Sequence, residues 1–472
     1  MRIGRDSAEI LMLDLDKHES VIRDIIYEGL EELPPISNSL GIIATYFINV
    51  GEGEDLESVG REISLHQTTS AQNSTKDGLL ERCTGNIFDI LPFDRDKRVG
   101  LIRINFPSEI MVDSKSKIYS SDIMHIIAGS VQYELRASKD IKLVDVRLPE
   151  EIINLFPGPC YGVEGIRKMA GLKENELMFG TIVKPCTGIT SLETAEIIGK
   201  AASNKFFSFV KEDENFHPNV PFARLEERVR LSVEYIKNSL EQREGKGLIY
   251  APHVTSSRRE FERNLKIAVD SGASAVMFSE TYTGGAFRLA RDLLSGLDKP
   301  LAIYGHNGGI GSRSKSIYRE VIDMFARLDG IDFRQTGLTG STGYLRPYGL
   351  ELEKSEKILS RPMGKHKPVM MARAGGLDQG NIIINLKSIL DKSLNPENYL
   401  FLSGSAINGW KNEMGECDPL GGAKAMEQAL CAFYDKDFNK SEENHIALLV
   451  DYAKERGFKE LELSLRQRYS TL

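Results

Sequence analysis

Residues 206–218 read FFSFVKEDENFHP. The apolar run 206–210 carries β-prone side chains and predicts a buried strand. It ends in Lys211, Glu212, Asp213 and Glu214, four ionisable groups where such a strand would emerge. In parallel α/β proteins the chemistry gathers at the carboxyl ends of strands. Strand alternation puts Lys211 and Asp213 on one side, and a following turn can bring Glu214 round to join them. Two carboxylates on a short rigid segment suit a hard, oxygen-loving cation such as Mg2+. As an ammonium, Lys211 is no metal ligand; losing its charge, for example as a carbamate formed with CO2, would make it one. Taken alone, the window reads better as a solvated, salt-bridged loop, because charged residues are mostly exposed.

A second stretch, residues 178–190, reads MFGTIVKPCTGIT. It is another apolar strand, ending in Lys184-Pro185 with Gly188 beyond. From residue 150 onward, strands alternate with helical stretches, the mark of a parallel α/β fold. Eight strands are predicted, near 180–184, 206–211, 248–252, 274–278, 300–304, 331–334, 368–372 and 399–402. Helices are predicted between them, as over 191–203, 224–239 and 258–270. Eight β/α units close into a TIM barrel. Residues 421–466 read as helices on its outside. Ahead of the barrel, residues 37–150 predict a small α+β domain, with strands over 41–50 and 100–106 and helices over 56–63 and 122–133. Residues 1–36 have helical periodicity and end at Pro34-Pro35, an N-terminal extension of unread function.

Composition narrows the classes. The hydrophobic and charged fractions, 41% and 27%, are those of a soluble globular chain long enough, at 472 residues, for two or three domains. A net charge of −8 speaks against a nucleic-acid surface. No apolar run approaches the roughly 18 residues of a membrane span. The N-terminus is acidic and interrupted, unlike a signal peptide. Five cysteines without a CxxC fit a reducing cytoplasm and give no zinc site.

Together the two strand ends resemble the large-subunit superfamily of ribulose-bisphosphate carboxylase/oxygenase (RuBisCO). That family has G-x-x-x-KP-x-x-G after its first barrel strand, as in residues 180–188 here. It has K-[DE]-DEN after its second, as in residues 211–215. The likeness runs from about residue 40 to about residue 435. Thr283-Gly284-Gly285 after strand four, His306 after strand five and Ala374-Gly375-Gly376 after strand seven also resemble the family pattern. Other positions depart from it. Cys186 stands where the family has a second Lys, Asn307 where it has a phosphate-binding Arg, and Gln335 where it has a phosphate-binding His. The sixth loop, residues 337–345, holds no Lys, whereas the family's carboxylases carry a mobile one; its nearest cation is Arg346, which does not substitute for a Lys point charge. The partner-supplied Glu and Asn of the family fall near His66 and Ser130, and neither matches.

The resemblance implies a RuBisCO-like protein that enolises without fixing CO2. Lys211 as a carbamate, with Asp213 and Glu214, would hold one Mg2+. Lys184, its pKa lowered by burial, is the first candidate base, and the carbamate oxygen the second. His306 would orient a substrate hydroxyl or shuttle a proton. Gly375, Gly376, Ser403 and Gly404 would hold a phosphate, since small residues let backbone N–H groups approach one; a lone Gly pair is usually only a turn. With the opposite anion-binding residues replaced, one phosphate is expected rather than two, and Arg334 could meet a carboxylate. The enolate's fate (isomerisation, tautomerisation or decarboxylation) stays open. So do two alternatives: a divergent authentic carboxylase, and a non-catalytic binding or regulatory paralogue. Family likeness further implies a homodimer with a shared active site and a small phosphorylated substrate. Asn215 and His217 are expected as loop residues and Trp410 as core. His253 is balanced between site and scaffold, and Cys186 is taken as filler.

Overall fold

Ten consecutive buried residues, Gly41–Val50 (β1), form the centre of an antiparallel sheet. In the computed structural model, which describes residues 19–36, 41–50, 53–70, 78–131, 138–339, 349–438 and 445–469, that sheet also holds Asn86–Pro92 (β2), Val99–Pro107 (β3) and Ser138–Arg147 (β4), in the order β2-β3-β1-β4. A strand buried along its whole length has cover on both faces. The helix Leu56–His66, started by an Asp55/Ser58 capping box, covers one face, with Gly60 against Ile87 and Ile102. The helix Glu19–Glu32 covers the other, with Gly29 against Phe93 and Leu101. Of the stretch 1–36 read as an N-terminal extension, the helix Glu19–Glu32 is therefore part of this sheet's core, with Ile22, Ile25, Ile26 and Tyr27 buried, and residues 1–18 lie outside the described ones.

β2 and β4 were not predicted. They are the sheet's two edges, and polar residues interrupt their apolar pattern (NIFDILP, SKDIKLVDVR). The predicted helix over 122–133 is observed as Ser120–Ala128, and residues 132 and 133 lie outside the described ones.

Two compact units divide the chain. The first takes in Met1–Pro157, Ile310–Asp329 and Met363–His366; the second takes in Gly158–Gly309, Gly330–Pro362 and Lys367–Leu472. The helix Arg319–Leu328, which follows a barrel strand in sequence, thus belongs with the first unit. Leu143 of β4 exchanges backbone hydrogen bonds with Ser316 and Tyr318 just ahead of it.

The second unit contains all eight predicted barrel strands. They are Met178–Ile182 (β5), Phe209–Lys211 (β6), Ile249–Ala251 (β9), Ala275–Phe278 (β10), Ala302–Gly305 (β11), Phe333–Gln335 (β12), Met370–Arg373 (β13) and Tyr399–Ser403 (β14). A short hairpin, Asn219–Val220 (β7) and Ala223–Arg224 (β8), follows β6. The eight are parallel, in the order β10-β11-β12-β13-β14-β5-β6-β9. A bridge between His253 and Met277 joins the two ends of that order into a ring.

Met178, Phe209, Tyr304, Phe333, Met370 and Leu400 belong to one buried cluster that fills the interior. Alternation from these residues fixes which later side chain on each strand faces inward. The helices Ser191–Ser203, Leu225–Ser239 and Arg258–Asp270 lie within a residue of prediction. Pro419–Tyr434, His445–Arg456 and Lys459–Arg468 form the C-terminal helices.

Candidate active site

Phe209 faces the barrel interior, so Lys211 and Asp213 follow it inward and Glu212 points the other way. Glu212 is fully buried. It accepts hydrogen bonds from Arg228 Nε (2.7 Å) and Nη2 (2.9 Å), the Tyr250 hydroxyl (2.6 Å) and the His253 backbone N–H (2.9 Å). Arg228, on the helix Leu225–Ser239, also lies 4.2 Å over the Phe216 ring. The strand end is thereby tied to the helix behind it. Burial works to raise the Glu212 pKa, but the Arg228 guanidinium overrides it and holds the carboxyl below its usual range. Glu212 is scaffold, and it sets the position of its two inward neighbours.

Those neighbours meet Lys184. Its ammonium donates to Asp213 Oδ2 at 2.5 Å and to Cys186 Sγ at 3.0 Å. The other oxygen of Asp213 accepts from the Asn215 backbone (3.0 Å) and side chain (3.1 Å), so Asn215 is the turn former that aims the carboxylate. Lys211, 1% exposed, donates to Glu214 Oε2 (3.2 Å) and the Glu212 carbonyl (3.1 Å). His306 Nε2 lies 3.4 Å from the same Glu214 oxygen. Lys184 with Asp213, and Lys211 with Glu214 and His306, thus form two hydrogen-bonded groups carried side by side by the adjacent residues Asp213 and Glu214.

The protonation pattern follows from the partners. The Gly308 backbone N–H, which can only donate, points at His306 Nδ1 (3.0 Å), with Ser279 Oγ at 3.3 Å. Nδ1 is therefore the bare nitrogen, and Nε2 carries the proton toward Glu214. Burial depresses the His306 pKa despite the nearby carboxylate, so the ring is held neutral. Burial opposes ionisation of Glu214, but His306 and Lys211 outweigh it and keep the carboxyl well below its usual range. For Lys184 the expected direction is reversed. Burial does favour the neutral amine, yet the hydrogen bonds to Asp213 and Cys186 prevail and raise its pKa above the ordinary value. In this arrangement it is an ammonium, not a base.

Among the described residues, no three His, Cys, Asp or Glu side chains converge to hold a metal. Asp213 and Glu214 supply two carboxylates, and both are now neutralised by the lysines beside them. Lys211, buried and paired with Glu214, is the residue whose carbamate would add a third oxygen donor. The donor set fits a hard cation on that condition.

The other predicted residues divide. Gly375 (φ +92°) and Gly376 (φ +106°) form a turn that only glycine adopts readily. Ser403 is buried and donates to the Leu377 carbonyl (2.7 Å), joining the seventh and eighth loops. A Cβ on Gly404 would lie 3.3 Å from Lys184 Cε, so the lysine stem runs across this glycine. The small-residue loops and the lysine are therefore adjacent.

Arg334 does not join them. Phe333 and Gln335 face inward, Gln335 accepting from the Tyr304 hydroxyl at 3.1 Å. Arg334 stands on the opposite face, buried, its guanidinium 6.0 Å from the Phe287 ring centre on the helix Ala286–Leu294. The expected meeting with a substrate carboxylate is corrected by strand alternation. Residues 340–348 of the sixth loop, including Arg346, lie outside the described residues.

His253 is scaffold: its Nδ1 meets the Phe216 carbonyl (3.0 Å) and its Nε2 meets Thr255 Oγ1 (2.6 Å). His217 accepts from the Asn219 backbone in its loop (3.4 Å). Trp410 is core, packed on Gly421. In the first unit, the Gln67 side chain hydrogen-bonds Ser130, joining the segments that carry His66 and Ser130. Sequence reading missed Ser279 and Gly308 as the residues orienting His306, and Arg228 as the anchor of Glu212. Arg228 lies 16 residues from its partner, on a helix face no local pattern distinguishes.

Comparison with known proteins points in one direction. The family model for the ribulose bisphosphate carboxylase large chain, catalytic domain, matches residues 162–461. Ribulose bisphosphate carboxylase of Thermococcus onnurineus (strain NA1) is 27% identical over 417 residues, 83% of this chain and 88% of that one. Octameric ribulose-1,5-bisphosphate carboxylase/oxygenase from Pyrococcus horikoshii OT3 superposes with a TM-score of 0.77 at 22% identity, covering 93% of this chain and 98% of that one. A rubisco-like protein from Burkholderia fungorum superposes at 0.72 with 23% identity, covering 90% and 99%. At such identity the last two speak for the fold alone. Among the described residues, no helix is long and apolar enough to cross a membrane.

Proposed function

The chain belongs to the ribulose bisphosphate carboxylase large-chain family, and from that membership we propose that it is an enolising enzyme which does not fix CO2. The observation that carries the proposal is the gathering of two ion-paired groups at neighbouring strand ends, Lys184 with Asp213 and Lys211 with Glu214 and His306, in which Lys211, Asp213 and His306 are buried. A non-catalytic scaffold has no use for two lysines, two carboxylates and an oriented imidazole in so small a space. Against that retained core stand the replacements: Cys186 beside Lys184, Asn307 just after strand five, Gln335 at the end of strand six, and a sixth loop without lysine.

Carbamylated Lys211, Asp213 and Glu214 would hold Mg2+, which supplies Lewis-acid stabilisation of charge developing on an enediolate. The chain's own groups do the rest. Lys184 is held protonated by Asp213. Once that carboxylate is engaged elsewhere, the lysine keeps its burial but loses its main anionic partner, and its pKa falls toward that of a base. His306, neutral with its proton on Nε2, serves as a hydrogen-bond donor to an oxygen in the site. The loops of Gly375-Gly376 and Ser403-Gly404 offer backbone N–H groups to one phosphate, beside the lysine stem. The neutral Asn307 and Gln335 favour an uncharged group at the other end. The substrate is thus a singly phosphorylated sugar or sugar acid, and the product arises by isomerisation, tautomerisation or decarboxylation. The working form is a homodimer, cytoplasmic, with the site completed by the partner.

The relative from Thermococcus onnurineus carries the carboxylase name, and this favours a second reading, a divergent authentic carboxylase. Offering 13C-bicarbonate with ribulose bisphosphate and Mg2+ separates the two. We expect no labelled carboxylate product above the enzyme-free control. Stoichiometric label in product would establish the carboxylase instead.

A further inference from the structure

The turn proposed to hold phosphate is gripped from behind by the end of the chain. Gly375 and Gly376 both have positive φ and carry no side chains, so the direction of their N–H groups is set by whatever fixes the surrounding loop. On one side Ser403 Oγ donates to the Leu377 carbonyl (2.7 Å). On the other stands Asp378, 8% exposed. Its Oδ1 accepts from the Gly380 backbone (2.8 Å), the Asn381 backbone (2.9 Å) and the Tyr469 hydroxyl (2.8 Å).

Asn381 continues the chain of contacts. Its Oδ1 accepts from the Asp378 backbone (3.0 Å), and its Nδ2 donates to the Gly376 carbonyl at 2.8 Å, within the turn itself. The Tyr469 ring lies so close over Gly380 that a Cβ there would fall 2.5 Å from a ring carbon. His445, at the start of the helix His445–Arg456, donates from Nε2 to the Gly380 carbonyl (2.8 Å). Two C-terminal segments therefore close on one glycine, four residues past the turn. Asp378 and Tyr469 also line a cavity of about 730 Å³ with Trp410, Lys411 and Arg468. The tyrosine is packed on one side only, and removing its hydroxyl opens no sealed void.

We propose that Tyr469 is a positioning residue for the Gly375–Gly376 turn, acting through Asp378 and Asn381. This rests on the reading of that turn as a phosphate cradle. A turn of two glycines has many accessible conformations and loses much entropy when fixed. The route from the Tyr469 hydroxyl restricts it before ligand arrives, and preorganisation of this kind appears as affinity.

The full-length protein and its Tyr469→Phe, Asp378→Ala and Asp378→Asn variants test this. Titration calorimetry with inorganic phosphate and amide hydrogen exchange over residues 374–381 are the readouts. One lost hydrogen bond to a carboxylate predicts phosphate affinity weakened by about five- to tenfold in Tyr469→Phe, with faster exchange confined to this segment. Asp378→Ala should behave the same way or worse. Asp378→Asn should restore both, because its amide oxygen still accepts from Gly380, Asn381 and Tyr469. A parent that binds phosphate, with Tyr469→Phe binding and exchanging equally, overturns the inference alone. A parent without phosphate binding overturns the cradle reading and this inference with it. Asp378→Asn failing as Asp378→Ala does would show that charge rather than acceptor geometry fixes the turn, and would overturn the route through Tyr469.

Discussion

Asp213 is pulled two ways, by Lys184 on one oxygen and Asn215 on the other, and that tension summarises the site at the scale of single residues. The residue identities at the strand ends were legible from KEDEN and KP because side-chain alternation is a property of any strand. Protonation states were not. Whether burial or a hydrogen bond decides the Lys184 pKa depends on a 2.5 Å contact between residues 29 apart in sequence. His253 gives the clearest pH prediction. Burial pushes its pKa from the ordinary 6.5 down to about 4. Between those values the unfolded chain binds the proton and the folded chain does not. This residue's contribution is therefore complete above about pH 6.5 and is lost as pH falls toward 4, by roughly 3 kcal/mol in all. Urea unfolding from pH 7 to 4.5 should show a shallower decline for His253→Gln than for the parent, by close to one proton in slope; equal slopes would contradict the assignment.

At the scale of elements, all eight barrel strands were legible because nearly all of them are short, largely apolar runs in regular alternation with helical stretches; β12, Phe333–Gln335, was placed by that alternation rather than by its own residues. β2 and β4 were missed because edge strands carry polar residues on their open sides. Arg334 was misassigned for a related reason: position in sequence put it at a strand end, but the pleat turned it toward Phe287. The join between β6 and the helix Leu225–Ser239 was invisible in the sequence, since the fully buried Glu212–Arg228 pair bridges two elements. Arg228→Met should leave a buried carboxylate with only neutral donors and cost about 3–5 kcal/mol. Adding Glu212→Gln should recover a substantial part of it. Urea denaturation of the single and double variants measures both, and additive losses would show that the two side chains act independently.

For the molecule as a whole, the chain is two compact units in which sequence order and structural membership differ. The helix Glu19–Glu32 completes the first unit's sheet rather than standing apart, so its burial, not a separate role, accounts for its apolar stripe. Ile26→Asp should therefore destabilise the first unit by several kcal/mol, about the scale of an unpaired buried charge, and lower its melting temperature while leaving Mg2+ binding at the barrel's strand ends unchanged. Family membership supplied the expected chemistry, and the barrel brings its charged residues together; the substrate end of the site was the least legible part, because it depends on replaced residues and on a loop outside the described chain.

On the proposed function, these strand-end residues enolise a phosphorylated substrate with Lys211 and Glu214 as metal ligands. Its most direct test is solvent-deuterium wash-in by NMR, with Mg2+ and bicarbonate. The panel comprises ribulose bisphosphate, phosphorylated ketoses, methylthio-sugar phosphates and 3-oxo sugar-acid phosphates. Exchange or product with one of them is expected, reduced at least about 100-fold, on the order of the catalytic loss for removing a key charge-stabilising group, in both Lys211→Ala and Glu214→Gln. Exchange that survives both substitutions, or a folded parent that neither binds Mg2+ nor exchanges any of these, would contradict it.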